Sequence, residues 1–139
     1  MTDLLASLLH ALATLAGRLP WPLQRALGNA LGDLARRLGA RESVVALRNL
    51  VLAMPELDPA ARGALHREVM RTTGRQAIET LRLWTRPHAG NLALIRERHG
   101  EALFDAAVAS GRGLIVAAPH HGNWELLNQW LAARTPLAI

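Results

Sequence analysis

Residues 113–127 read GLIVAAPHHGNWELL, and this stretch decides which fold the sequence predicts. Gly113–Ala118 is an apolar run with β-branched residues, which is typical of a buried strand. Two histidines follow Pro119, and Asn123 is then a candidate N-cap for a helix through residues 124–131. We therefore predict a strand, a turn and a helix in this order. Active-site groups collect at the carboxyl ends of strands in open α/β sheets, so the turn is a suitable place for catalytic residues.

Shorter elements are predicted on both sides of this stretch. Leu92–Glu97 and Leu137–Ile139 have the character of short strands, and Glu101–Ala109 that of a helix closed by Gly111. The order strand–helix–strand–helix–strand predicts an α/β fold with a mainly parallel sheet covered by helices. The third strand has barely begun at residue 139. We therefore expect the chain to be the N-terminal part of a longer protein, truncated after about three strands.

The preceding residues have helical periodicity. Pro22 suits the first turn of a helix and Gly39 its end. Leucines at spacings of three and four form one stripe on this helix, at positions 23, 27, 31, 34 and 38. Gly28 and Gly32 lie on the same helix, but small-residue pairs are frequent by chance, so we give this pair little weight. Two more helices are predicted, one over Glu42–Ala53 and a long one that begins at Asp58–Pro59 and ends before Pro87.

The first apolar run, Leu4–Ala16, reads LLASLLHALATLA. Spanning a bilayer takes about 20 apolar residues, and Leu4–Leu23 reaches that length only by including Arg18 and two prolines. A span, a helix lying along the membrane and a core helix of a soluble bundle all remain open. No positive charge precedes the run, so it does not resemble a secretory signal, and we expect it to be retained.

The composition excludes several chemistries. The 139 residues include no cysteine, and all sixteen basic residues are arginine, which excludes thiol nucleophiles, cysteine-bound metals and lysine catalysis. The net charge of +5 favours an anionic partner such as nucleic acid, an anionic membrane, a phosphorylated lipid or an acidic protein. Nucleic acid is not expected, because the arginines are scattered and only Phe104 and four tryptophans are available for base stacking.

His120 and Glu125 are the residues best suited to acid–base chemistry. On one continuous helix they would lie about 140° apart, but a turn at Gly122 would let Glu125 fold back toward the imidazole. A carboxylate on one ring nitrogen fixes the tautomer and makes the other nitrogen a better base. No cysteine or nearby serine is available as a nucleophile, so the expected reaction is deprotonation of a substrate hydroxyl, giving an ester or amide.

Two other interpretations of the same residues stay open. His120 is equally well explained, from these two residues alone, as a histidine satisfied by a helix-capping carboxylate. His121 and Glu125 have the four-residue spacing of a helical metal pair, but no third ligand cluster accompanies them, so we expect no metal.

The stretch 113–127 resembles the His-x4-Asp/Glu block of the bacterial lipid A biosynthesis acyltransferases, the lauroyl and myristoyl transferases. Upstream, Arg48-Asn49-Leu50, Met54-Pro55-Glu56-Leu57 and Gly74-Arg75 are similar to further segments of that family, so the resemblance covers nearly the whole chain. It implies a glycerolipid acyltransferase-like fold.

The resemblance also implies the roles of four residues. His120 would be the general base and Glu125 the carboxylate that orients it. Asn123 and Trp124 belong to the same block and would help to position the substrate.

The resemblance further implies transfer of a fatty acyl group from acyl carrier protein to a hydroxyl of a lipid A precursor. Acyl-acyl carrier protein would be the co-substrate, with no other cofactor, and the acceptor a glycolipid. Residues 1–40 would be membrane-associated helices and residues 41–139 an incomplete acyltransferase domain, inactive alone, at the cytoplasmic face of the bacterial inner membrane.

Two alternatives to this function remain. One is an acyltransferase of the same fold that acts on another glycolipid or a lysophospholipid, such as a phosphatidylinositol mannoside. The other is a non-catalytic, membrane-associated helical module.

Overall fold

A computed structural model describes residues 2–119 and 122–138, and every regular element in these two stretches is an α-helix. The helices are α1 (Thr2–Arg18), α2 (Trp21–Arg37), α3 (Arg41–Ala53), α4 (Pro59–Thr85), α5 (His88–Leu92), α6 (Glu101–Ala109) and α7 (Trp124–Ala132). They fall into two compact units, residues 1–85 and residues 86–139.

Helix α4 is the centre of the first unit, because α1, α2 and α3 all pack against it. The approach of α2 to α4 is close enough to exclude side chains. A Cβ atom on Gly28 would lie 2.6 Å from the Cα atom of Arg75, and one on Gly74 would meet the backbone carbonyl of Gly28. Gly32 faces the backbone of Met70 in the same way. The Gly28–Gly32 pair, to which the sequence argument gave little weight, therefore forms the α2–α4 contact.

Helix α2 turns its small and polar residues inward. Gln24, Gly28 and Gly32 are its buried residues. Four of its five stripe leucines are exposed, at positions 23, 31, 34 and 38. Asp33 accepts hydrogen bonds from Arg71 of α4 at 2.7 and 3.1 Å, which adds a polar tie to the glycine contact.

The predicted helix ends of this unit are confirmed. The Oδ1 atom of Asp58 accepts a hydrogen bond from the backbone N–H of Ala61 at 2.8 Å, and Pro59 begins α4. Pro22 lies in the first turn of α2, and Gly39 follows its end with a φ of +64°. A positive φ is inexpensive only for glycine, which explains why the helix ends there.

Helix α1 is buried against this unit near its C-terminal end. Residues 4–12 are all exposed, including their five leucines, whereas Gly17 is buried. The side-chain amide of Gln24 donates hydrogen bonds to the carbonyl oxygens of Gly17 and Leu19, at 3.0 and 2.9 Å, and holds this end of α1. Within residues 2–119 and 122–138, no helix combines the length and the apolar content that crossing a membrane requires.

The second unit contains α5, α6 and α7. A buried hydrogen bond runs from the amide nitrogen of Asn91 in α5 to the amide oxygen of Gln129 in α7, at 2.8 Å. The rings of Phe104 in α6 and Trp130 in α7 lie 5.0 Å apart. Arg134 lies over the Trp130 ring.

The predicted parallel sheet is wrong, since none of the described residues forms a strand. Leu92 belongs to α5, and the rest of Leu92–Glu97 is a turn followed by irregular chain. Gly113–Ala118 has no regular structure, Gly113 has a φ of +80° and Ile115 is 95% exposed. A strand is stabilised by pairing with a neighbour and by burial of its apolar faces. This run has neither, so its strand-like composition does not produce a sheet. Leu137 and Ala138 are likewise irregular, and Ile139 lies outside the described residues.

Candidate active site

The N-terminus of α7 carries the predicted catalytic carboxylate. Asn123 occupies the N-cap position, with φ −96° and ψ 90°, and the helix begins at Trp124, so Glu125 lies in its first turn. A carboxylate in this position interacts favourably with the positive end of the helix dipole. Gly122 has a φ of +69°, a left-handed conformation that is inexpensive only for glycine.

The cap itself differs from the simplest expectation. The Asn123 side chain makes no capping hydrogen bond to the helix. The first turn is closed instead by a 3.3 Å hydrogen bond from the Leu126 N–H to the Asn123 carbonyl.

The predicted base, His120, lies outside the described residues, as does His121. The pairing of His120 with Glu125 and the alternative metal pair both stay predictions. Among the residues that the structure describes, no group of three His, Asp or Glu side chains could hold a metal ion.

Glu125 shares a helix face with Gln129, because residues four apart differ by only about 40° around a helix. Gln129 is buried and accepts the hydrogen bond from Asn91. The sequence argument missed both α5 and Asn91. Pro87, which holds the N-cap position of α5, was the available signal that a new helix starts there.

A groove of about 310 Å³ runs along another face of α7, next to Asn123. Leu126, Leu127 and Trp130 contribute apolar surface to it. At 100° per residue, Glu125 lies about 160° from Leu127 around the helix, and it does not line the groove. The predicted carboxylate and this groove therefore belong to different faces of α7.

The opposite wall of the groove is polar. It includes Arg98 with Glu101 at 3.3 Å and His99 with Glu97 at 3.4 Å. Among the described residues, one arginine lies here against two glutamates. This wall therefore offers no excess of arginine to attract an anion, and the groove is best described as an apolar surface with a polar rim.

A second cavity, of about 380 Å³, lies between α6, the end of α7 and the irregular chain around Leu114. Its lining is mainly apolar and comprises Phe104, Val108, Gly113, Leu114, Val116, Leu131, Thr135, Pro136, Leu137 and Ala138. None of the described residues that line it is ionisable, so this lining suits hydrocarbon.

The two predicted positioning residues have different surroundings. Asn123 is partly buried and borders the 310 Å³ groove. Trp124 is 38% exposed and does not line that groove. Their roles toward a substrate stay predictions.

Comparison with known proteins defines the class. The chain belongs to the bacterial lipid A biosynthesis acyltransferase family, whose sequence profile matches residues 2–138. The resemblance seen in the sequence is thereby confirmed.

Two kinds of curated relatives are similar to the chain. A phosphatidylinositol mannoside acyltransferase of Mycobacterium tuberculosis is 34% identical over 112 residues, which is 78% of this chain and 35% of the relative. A lipid A biosynthesis acyltransferase of Haemophilus influenzae is 35% identical over 68 residues, which is 48% of this chain and 22% of the relative. The aligned regions thus span about a third or less of these relatives. No solved structure matches the chain significantly.

Proposed function

We propose that this protein takes part in transferring a fatty acyl group from acyl carrier protein to a hydroxyl group of a lipid A precursor. His120 acts as the general base and Glu125 as the carboxylate that orients it. Acyl-acyl carrier protein is the co-substrate, and the proposal includes no other cofactor and no metal.

The proposed reaction proceeds without an acyl-enzyme. The His120 imidazole takes the proton of the acceptor hydroxyl as its oxygen attacks the thioester carbonyl carbon. When the tetrahedral intermediate collapses, the carbon–sulfur bond breaks and the thiolate leaves. The imidazolium returns its proton to that sulfur, so the products are the acylated lipid and free carrier thiol. The Glu125 carboxylate stabilises the imidazolium between these two steps.

The observation that carries the proposal is the family match together with the position of Glu125. The matched region includes the His-x4-Glu block, and Glu125 lies on a helix that begins shortly after Gly122. That placement fits a carboxylate that reaches back toward the preceding residues.

We further propose that residues 1–40 contact the cytoplasmic face of the bacterial inner membrane. Residues 4–12 of α1 are exposed on every side, and α2 buries glycines while exposing its leucines. Helices that pack in an apolar solvent place small residues in the contact between helices and leucines on the outside. Arg18 and Arg25 are exposed near Trp21, which suits a headgroup region with anionic lipids.

The decisive experiment is acyl transfer by the full-length protein carrying His120→Ala. We expect turnover to fall by about 10²–10⁴-fold, the usual loss for a general base. His88→Ala is the matched control, because His88 is exposed at the start of α5 and has no proposed role. Full acyl-transfer activity of the His120 variant would overturn the assignment of His120 as the general base.

A second candidate substrate has specific support. The Mycobacterium relative, named for a phosphatidylinositol mannoside, aligns with more of this chain than the lipid A relative does. Mass spectrometry of the products, with both acceptors offered to the same protein, separates the two. An acylated lipid A precursor supports the first proposal, and an acylated mannoside replaces it with the second.

A further inference from the structure

The buried amide pair Asn91–Gln129 is a polar contact on the same face of α7 as Glu125. Asn91 is completely buried and Gln129 is 9% exposed. Their hydrogen bond joins residues 38 positions apart and links α5 to α7. The pair therefore fixes α7 against a second element of the same unit.

A buried amide pair is a costly way to hold two helices together. Both amides lose hydration, and apolar side chains of similar volume would hold the helices without that loss. A hydrogen bond, however, restricts direction, because it weakens steeply when its angle departs from linear. The contact therefore limits rotation of α7 about its axis more than an apolar contact would.

That rotation matters for Glu125. Glu125 lies in the first turn of α7. Gln129 lies one turn farther along on nearly the same face. A small rotation of α7 around its axis would move the Glu125 carboxylate sideways, and a misplacement of about 1 Å can cost about 100-fold in rate.

We infer that Asn91 and Gln129 are positioning residues, which hold the Glu125 carboxylate in the orientation that its partner base requires. This inference rests on the proposed function, since it concerns the carboxylate of that same site. Neither amide is assigned contact with substrate.

The test compares the single variant Gln129→Asn with the double variant Asn91→Gln/Gln129→Asn in the full-length protein. The single variant shortens one amide and breaks the hydrogen bond, whereas the double variant exchanges the two side chains and keeps their combined length. We expect the single variant to lower kcat about 10-fold or more with KM nearly unchanged, because the substrate contacts remain. The exchange should restore most of kcat.

The control is Arg134→Gln, which loosens a different attachment of α7. Arg134 lies just after the helix and pairs with Asp105 and Glu101 of α6. It should lower thermal stability slightly and leave kcat within about twofold, since it does not lie on the face of Glu125.

The outcomes are distinguishable. If the folded Gln129→Asn protein keeps wild-type kcat, or if its loss equals that of the Arg134 control, the positioning role is overturned while the proposed function stands. If Gln129→Asn does not fold, the exchange variant decides alone. A folded exchange variant whose kcat is still reduced 10-fold also overturns the positioning role. Absence of acyl transfer by the wild-type protein would instead refute the proposed function, and the inference with it.

Discussion

The two units join their helices by opposite means. In the first, α2 and α4 approach until only glycines fit between their backbones, and the Asp33–Arg71 ion pair lies beside that contact. In the second, α5 and α7 meet through two full side chains, Asn91 and Gln129. A backbone contact tolerates no added atom but sets only distance. An amide hydrogen bond also restricts direction, which suits a helix that carries a catalytic group.

The largest expected effect is on the backbone contact. In Gly74→Ala the new methyl group would meet the carbonyl oxygen of Gly28, so one of the two helices must move. We expect a loss of about 3 kcal/mol in the free energy of unfolding, measured by urea denaturation.

Gly63→Ala is the matched control on the same helix. Nothing lies within 4 Å of the position where its Cβ would be, and alanine is the better helix former there. It should raise stability by about 0.5–1 kcal/mol. Equal losses for the two glycines would mean that close packing is not what joins α2 to α4.

This glycine contact also shows what the sequence did not predict. The leucine stripe of α2 was predictable from the sequence, but the contact of α2 with α4 is made by Gly28 and Gly32. Apolar periodicity identifies a helix and its apolar face, but it does not say which side a neighbour covers. The helix boundaries were predictable because caps, prolines and glycines act locally, as at Asp58 and Gly39.

The predicted sheet was wrong because strand formation depends on residues that are distant in sequence. Gly113–Ala118 has the composition of a buried strand, but a strand depends on partners distant in sequence that composition does not reveal. At the candidate site, the left-handed conformation of Gly122 and the helical position of Glu125 were predictable from neighbouring residues. The Asn91–Gln129 bond spans 38 residues and was not.

A second prediction concerns the attachment of α1 to the rest of the first unit. The Gln24 amide donates to three carbonyl oxygens at the end of α1, those of Ala16, Gly17 and Leu19. Gln24→Met keeps the shape and removes the donors, and should cost about 2 kcal/mol because buried acceptors lose their partner.

Hydrogen exchange can locate that loss. Amides in residues 13–18 should exchange faster in the Gln24 variant, while those of α4 keep their protection. Arg25→Met is the control, since Arg25 is exposed and a change there should stay within about 0.5 kcal/mol. Uniform loss of protection would show that α1 is not a separately attached element.

A third prediction concerns the ion pair beside the glycines. Hydrogen bonds from Arg71, together with its charge, hold the pKa of Asp33 below its ordinary value of 3.8. A lowered folded-state pKa means that the contribution to stability is present above the unfolded pKa and is lost as pH falls through the folded one. Asp33→Asn should therefore be less stable than wild type at pH 7. The difference should shrink as the pH is lowered below roughly 4. A difference that stays constant with pH would assign the effect to shape rather than charge.

The smallest effect is expected for the exposed ion pairs of the second unit. Arg134 contacts Glu101 at 3.0 Å and Asp105 at 2.9 Å, and each partner is at least 30% exposed. A double-mutant cycle of Arg134→Gln with Glu101→Gln should give a coupling energy of about 0.5 kcal/mol, reduced further by 1 M salt. A salt-resistant coupling above about 2 kcal/mol would make this ion pair a principal attachment of α7. The orientation of α7 would then no longer depend mainly on the Asn91–Gln129 hydrogen bond. The orientation of Glu125 could not be attributed to that hydrogen bond either.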